Sequence, residues 1–335
     1  MSYSRHIFLS LVMILLGFVP ASGKPLPLMR ISVENTDTHV QTRAVRHFCD
    51  ILAQKLHDRI EIRFFSDAAL FRDQDVIRAL GQGKVEMAVP GTWHVAKFEP
   101  NVGIFLMPVL YGRSPEDTYK VLDSRVGQTI DQMIESRLNL TVVGRWIDLG
   151  YAHLFSMSKP ITRVEDISGM RIRVAGGRAN LLRIKAMGGN PMAISWPDLP
   201  DYMAQGRVDA VLTSYETIRS ARLWENGIRF VFEDREYFPQ YIPLIRTSFW
   251  KKLPLDIRQI IAQTWEENTD QYRLQAAKAQ EEAKRELVEN GVRISVPTED
   301  QIKSCRKIIL KQQDQIAAQM HIDPTLIQEI SKLID

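Results

Sequence analysis

The stretch from Asp166 to Tyr215 limits the fold more than any other part of the chain. A short alternating run, Met170 to Val174, leads through Ala175-Gly176-Gly177 into an apolar-periodic segment, Asn180 to Met187, which stops at Gly188-Gly189. Asn190-Pro191 restarts the chain as Met192 to Ile194. A helical pattern follows from about Asp198 to Gln205, and Gly206 closes it before the apolar run Val208 to Leu212. The order is strand, helix, strand, helix, strand.

Side chains in a strand alternate between faces, so Arg171 and Arg173 share one face of the first strand. Two readings are open. Both guanidiniums are solvated at an edge or paired with Asp166 or Glu165; or Arg173, close to the turn, points into the crevice outside the strand ends, where open α/β sheets bind ligands. In the second reading Gly176-Gly177 lets the N–H groups at the following helix start approach an anion.

The same residues resemble a family: the solute-binding proteins of TRAP (tripartite ATP-independent periplasmic) transporters, in the C4-dicarboxylate-type (DctP) branch. Its members read D-L-K-G-L-K-I-R-V, then a helix ending A-L-G-A-N-P, a proline-aromatic turn, and Q-Q-G-V-V-D-G. Here those positions hold Asp166-Ile167-Ser168-Gly169-Met170-Arg171-Ile172-Arg173-Val174, Ala186-Met187-Gly188-Gly189-Asn190-Pro191, Trp196-Pro197-Asp198 and Gln205-Gly206-Arg207-Val208-Asp209-Ala210. In the first part of the chain, Gly83-Lys84-Val85-Glu86-Met87-Ala88-Val89 is similar to the family's G-x-V-D-M-A-V, and Leu106-Met107-Pro108-Val109-Leu110-Tyr111 to its L-P-F-L-F. The resemblance implies an α/β, two-lobe periplasmic binding protein fold, each lobe a mixed sheet flanked by helices, with a long helix spanning both lobes.

Read from the start, residues 1–23 carry Arg5, an apolar core from Ile7 to Val19 and the small residues Ala21-Ser22-Gly23, the pattern of a cleaved secretory signal. The apolar run is shorter than the roughly 20 residues that a membrane span needs, so a periplasmic location follows. What remains exceeds the usual size of a single core and argues for two domains. Met29 to Val33, Val40 to Leu56, Ile60 to Phe65, Asp75 to Leu80 and Val85 to Val89 read as β-α-β-α-β. From Pro254 an uninterrupted helical pattern runs to Asn290, with Gly291 as its stop. About 35 residues at 1.5 Å each span roughly 52 Å, more than one small lobe. With the family order, the expected division is lobe I from 24–148 and 238–277, and lobe II from 149–237 and 278–335.

Composition excludes several functions. A formal net charge of +3, without a basic run interleaved with aromatics, gives no reason to expect nucleic acid. Cys49 and Cys305, the 2 cysteines, sit in helix-like apolar patterns and read as lone core thiols, though the compartment permits a pair. No metal-ligand spacing, G-x-S-x-G elbow or H-E-x-x-H occurs, so no metal, cofactor or enzymatic activity is expected.

The candidate ligand site collects around Arg173. Trp93 and Trp146 fall at strand ends, and with Tyr151, Trp196 and Tyr215 they offer apolar walls. Asn35, Thr92 and Thr213 supply short polar groups. Two positions depart from the family pattern: Ala152 stands where relatives carry a second arginine, and Thr213 where they carry asparagine. Arg145, Arg178 or His153 is the candidate replacement for that arginine. These departures, with the tryptophans, favour a monocarboxylate with an apolar or aromatic tail over a C4-dicarboxylate. The resemblance implies a monomer that captures an organic acid by lobe closure and hands it to TRAP permease subunits; service to a sensor or another transporter type is the alternative, and a secreted hydrolase the remote one.

Overall fold

The computed structural model describes residues 26–334; the expected signal segment lies outside them. Among the described residues thirteen strands run in chain order: β1 Leu28–Ser32, β2 Glu61–Phe65, β3 Met87–Ala88, β4 Leu140–Val142, β5 Ile147–Asp148, β6 Ala152–Ser156, β7 Arg171–Val174, β8 Asn190–Ala193, β9 Ala210–Thr213, β10 Phe230–Tyr237, β11 Gln240–Tyr241, β12 Leu244–Arg246 and β13 Arg293–Ser295. They form two mixed sheets, in the orders β2-β1-β3-β12-β4 and β13-β10-β6-β9-β7-β8. The first sheet takes β12 from far along the chain, and the second takes β13 from beyond that, so neither sheet is contiguous in sequence. Between them, β5 and β11 pair antiparallel as a short ribbon, with Gln240 opposite Asp148 and Tyr241 opposite Ile147. Here the chain passes from one sheet to the other in both directions.

The predicted βαβαβ unit is present. β7 pairs in parallel with β8 and with β9, and the helix Arg178–Ala186 bridges the first two. Gly177 (φ +80°) takes the left-handed backbone that lets the chain turn from β7 into that helix. Capping chemistry sets other helix starts: Ser114 and Asp117 exchange hydrogen bonds ahead of Pro115–Leu122, and Thr298 and Gln301 do so ahead of Glu299–Leu310. The first long helix, Val40–Lys55, is capped by His39, whose Nδ1 accepts the Gln41 N–H at 3.2 Å.

The helix Leu255–Glu289 is 35 residues long. Its buried positions Ile257, Ile261, Trp265, Tyr272, Ala276, Ala279, Ala283 and Leu287 recur at helical spacing along one stripe. That stripe packs on Val40–Lys55 beside the first sheet and on Tyr215–Ser220 beside the second, so one rigid element touches both. The closing helices differ from the expected assignment of 278–335 to lobe II. Glu299–Leu310 packs on Pro108–Leu110 and Pro324–Ile334 on Pro115–Leu122, both on the side of the first sheet, while Gln313–Met320 packs on Arg178–Ala186. The apolar stripe of Pro324–Ile334, with Leu326, Ile327, Ile330 and Ile334 buried, is what draws the tail back. Cys49 and Cys305 are buried and free.

One ion pair sits where the lobes join. Arg183 and Glu236 are 1 % and 0 % exposed; Arg183 Nε donates to Glu236 Oε1 at 3.0 Å, Nη2 pairs with Oε2, and Nη1 donates to the Leu106 carbonyl at 2.6 Å. The side chain thus ties the helix after β7 to the end of β10 and to the first-lobe segment Pro100–Leu106. Removing one member of such a pair leaves the other charge buried alone, at a cost of about 3–5 kcal/mol. Arg183→Met is therefore expected to lose stability on that scale in urea unfolding, and Arg183→Met with Glu236→Gln to recover most of it; a single variant within about 1 kcal/mol of wild type contradicts the assignment.

Candidate functional site

Where the two sheets face each other, the cleft is built around Arg173. The residue lies on β7 as the alternation predicts and is 2 % exposed, whereas Arg171, two residues earlier, reaches solvent and pairs with Asp209 at 2.7 and 3.0 Å. Arg173 itself has no carboxylate partner among the described residues. Its Nε donates to the Ile194 carbonyl at 3.0 Å, and its Cζ lies 5.8 Å from the centre of the Trp196 ring. Burial lowers its pKa to about 10, against the opposing pull of Glu34. A cation stripped of water and left unpaired is costly, and an anion in the cleft would relieve that cost.

Around it the cleft is polar on two sides and aromatic on the others. Glu34 and Asn35 approach from the end of β1, and Thr213 and Ser214 from the end of β9. Trp93, Trp196, Tyr237 and Tyr241 form the walls, and the Trp93 Nε1–H is buried without a partner among the described residues. Asn35 is held in place by Gln41 Oε1 at 3.1 Å and the Tyr241 hydroxyl at 3.3 Å. Behind Glu34, the Asp73 N–H donates to Glu34 Oε1 at 3.2 Å. Burial pushes both carboxyls up, and for Asp73 the neighbouring Glu34 charge adds to it.

Contacts from both sides close this cleft. Arg72 and Asp198 meet across it at 2.7 and 3.0 Å, His39 Nε2 lies 3.2 Å from Thr217 Oγ1, and the Val40 N–H donates to Glu216 Oε1 at 3.0 Å. The space left between the lobes there is about 40 Å³. Glu34, Asp73 and His94 bring one ligand atom each within 4.8 Å of one another, the arrangement that could hold a metal ion. Arg173 bears on both Glu34 and His94 as a positive neighbour, and burial of the two acids favours a proton over a cation there, so the trio suits neutral hydrogen bonding better than a metal.

Of the residues anticipated from sequence, Arg173, Trp93, Trp196, Thr213 and Asn35 line this cleft, and six do not. Trp146 is 2 % exposed and packs edge-on against Phe105, donating Nε1–H to Asp131 at 2.9 Å; it is core. Thr92 is fully buried at the start of the helix Thr92–Val95 and does not line the cleft. Arg178 lines a separate cavity of about 480 Å³, shared with Gly176, Gly177 and the far side of Trp93. Tyr151, Tyr215 and Arg145 line a third cavity, with His153, on the other face of the crossing strands. Arg145 is occupied there by Glu266 and Asp270. None of Arg145, Arg178 and His153 therefore stands in for the arginine missing at Ala152, which is itself fully buried in β6.

The reason is strand alternation. Along the two crossings, Leu149, Tyr237, Pro239 and Tyr241 face the cleft, and Asp148, Gly150 and Phe238 face away from it. Sequence reading missed Glu34, Tyr237 and Tyr241; the period-two run Tyr237-x-Pro239-x-Tyr241 was the signal that could have found the last two.

The fold and this cleft define a two-lobed binding protein. The chain belongs to the DctP family, bacterial extracellular solute-binding protein family 7, whose pattern it matches over residues 31–320. It is 22 % identical to the 2,3-diketo-L-gulonate-binding periplasmic protein YiaO of Escherichia coli, over 79 % of this chain and 80 % of that one. Two crystal structures share its fold: a TRAP periplasmic solute-binding protein from Ralstonia eutropha with bound (S)-2-acetolactate (TM-score 0.85, 21 % identity, 92 % of this chain and 98 % of that one), and the sugar acid binding protein of Advenella mimigardefordensis with galactonate (TM-score 0.86, 18 % identity, 92 % and 98 %).

Closure brings the backbone of one lobe against the other at Gly177. A Cβ there would lie 2.8 Å from Trp93 Cβ and 2.9 Å from the Trp93 carbonyl oxygen. Gly177→Ala is expected to hold the lobes apart, giving a larger radius of gyration in small-angle scattering than wild type in the same buffer; equal radii would show that the contact does not limit closure.

Proposed function

We propose that this protein is the extracytoplasmic solute receptor of a TRAP transporter and that its solute is a compact, hydroxylated monocarboxylate. The observation that carries the reading is the buried Arg173 guanidinium without a carboxylate partner among the described residues. A planar guanidinium takes a carboxylate through two parallel hydrogen bonds, which lysine cannot reproduce. Among the described residues that line this cavity Arg173 is the one arginine, and Arg72 at its edge is paired with Asp198, so the far end of the ligand meets Glu34, Asn35, Thr213 and Ser214 instead. Those groups accept and donate hydrogen bonds, and they match hydroxyls rather than a second carboxylate or an apolar tail. This replaces the apolar or aromatic tail expected from sequence. It agrees in kind with the solutes named for three of the relatives, a diketo-gulonate, a hydroxy-oxo acid and an aldonate, while others are named for C4-dicarboxylates or hold succinate.

The same reading covers the remaining roles. The protein works as a monomer in the periplasm after removal of residues 1–23, catalyses no reaction, and passes its solute to the permease subunits in the membrane. No helix among the described residues is long and apolar enough to cross a membrane, which fits a receptor that moves freely. We place lobe I in 24–148 and 238–277 and lobe II in 149–237, with the long helix continuing into lobe II, Glu299–Leu310 and Pro324–Ile334 lying back over lobe I, and Gln313–Met320 against lobe II. Solute binding then shifts the balance of open and closed lobes.

A thermal-shift screen tests the ligand class, because a ligand that binds only the folded state stabilises it by about 2.7 kcal/mol at a hundred times its dissociation constant. Aldonates and small 2-hydroxy acids should give the largest shifts. Calorimetric titration of Arg173→Ala and Arg173→Lys with the best of them should show at least roughly a thirtyfold loss, from about 2–5 kcal/mol for an unpaired buried charge. Succinate or a branched-chain or aryl acid as the strongest stabiliser would overturn the ligand class, and unchanged affinity in the Arg173 variants would overturn the site.

A further inference from the structure

Opposite the solute cleft, across the two crossing strands, lies a cavity of about 630 Å³. Asp148, Gly150 and Phe238 form its floor, and the walls come from both lobes: Tyr119 from the helix Pro115–Leu122, His153 and Tyr215 from the second lobe, and the 270–281 part of the long helix. We propose that this cavity is a second ligand site, for a small organic cation with an apolar body, such as an aryl-alkyl ammonium. Its occupant would bear on lobe closure. The coupling, though not the site, rests on the receptor reading above.

Aromatic rings supply the apolar part. Phe238 stands edge-on to Tyr119 at 5.7 Å and to Tyr151 at 5.2 Å, so the three rings form a continuous angled wall. Such walls already receive cations here: Arg273 Cζ lies 4.4 Å over the Tyr119 ring and Lys284 Nζ 5.9 Å over the Tyr215 ring. Cations over tyrosine and phenylalanine faces gain roughly 0.5–2 kcal/mol, more as water is excluded.

Charge selects the sign of the ligand. The lining cations are spoken for: Arg273 pairs with Asp123 at 2.7 and 3.0 Å, and Arg145 with Asp270 at 2.7 Å. On the same wall Glu233 pairs with Lys284 at 2.7 Å. Glu116 and Glu281 remain without an ion-pair partner among the described residues; the buried Asp148, which feels Arg273 through space, accepts from the Tyr119 hydroxyl at 2.7 Å and the Gly150 N–H at 2.9 Å. The surplus is negative.

Two polar groups lie sealed behind its wall. The Tyr215 hydroxyl and the Gln280 amide nitrogen are buried without hydrogen-bond partners among the described residues, in residues 2 % and 8 % exposed that both line the cavity. Buried donors of this kind are normally satisfied. Because the walls come from both lobes on the side away from the cleft, closing the cleft opens this cavity, and a ligand that fills it favours the closed lobes. Solute and ammonium then strengthen each other reciprocally.

Benzyltrimethylammonium is the probe, with the uncharged alcohol benzyl dimethyl carbinol as its control of similar shape. Calorimetry on the whole protein should show saturable binding of the ammonium at sub-millimolar concentration and at least roughly fivefold weaker binding of the alcohol. Glu116 and Glu281 are both exposed, so Glu116→Gln with Glu281→Gln should fold normally and weaken the ammonium about tenfold. Arg173→Ala should bind it as wild type does, which separates this site from the cleft whatever the solute proves to be. No saturable binding, equal binding of the alcohol, indifference to the double glutamine change, or loss in Arg173→Ala overturns the site. The radius of gyration should fall when the ammonium alone is added, and an unchanged radius with binding intact overturns the coupling.

Discussion

A charge buried without its opposite is the constraint on which the rest of this structure depends. Arg173 sits on a central strand of the second sheet, nearly without solvent, and Glu34 across the cleft reaches it through space but not as a partner. Desolvation of a guanidinium is tolerable only if something else holds the charge in readiness. The Ile194 carbonyl and the Trp196 ring do part of this from the second lobe. In the proposed function the anion of the solute supplies the remainder. The exposed pair Arg72–Asp198, which also spans the cleft, is worth little by comparison because solvent screens it.

The second constraint is the short ribbon through which the chain crosses. Two extended segments, paired at Asp148 and Gln240, present opposite faces to two different spaces. One face is aromatic and lines the solute cleft; the other combines aromatic rings with carboxyls and lines the cavity behind. Under the proposed coupling, rotation about this ribbon changes both spaces at once, in opposite senses. The long helix Leu255–Glu289 limits that rotation by packing on both lobes.

Much of this was legible in the chain. Glycine punctuation and period-two alternation located β7, the turn after it and Arg173, and the unbroken helical pattern from Pro254 gave the spanning helix its true length. The misplaced residues share one physical cause. Around the crossings both faces of a strand are buried, so aromatic content does not reveal which face a residue takes: Tyr151 and Tyr237 look alike in sequence and lie on opposite sides. Trp146 went to the core for the same reason. Arg145 was drawn off by Glu266 and Asp270, which lie more than a hundred residues away and become neighbours only once the long helix docks. The tail helices return to the first lobe through an apolar stripe whose partner surface no local pattern announces.

A crystal structure of the protein with the acid that stabilises it most would be the most direct measurement. If Arg173 is the reason for the cleft, both carboxylate oxygens of the ligand lie within about 2.7–2.9 Å of its guanidinium nitrogens, with ligand hydroxyls on Glu34 and Asn35 and the lobes closed as here. A carboxylate held by Arg178, or a ligand seated away from Arg173, would contradict it.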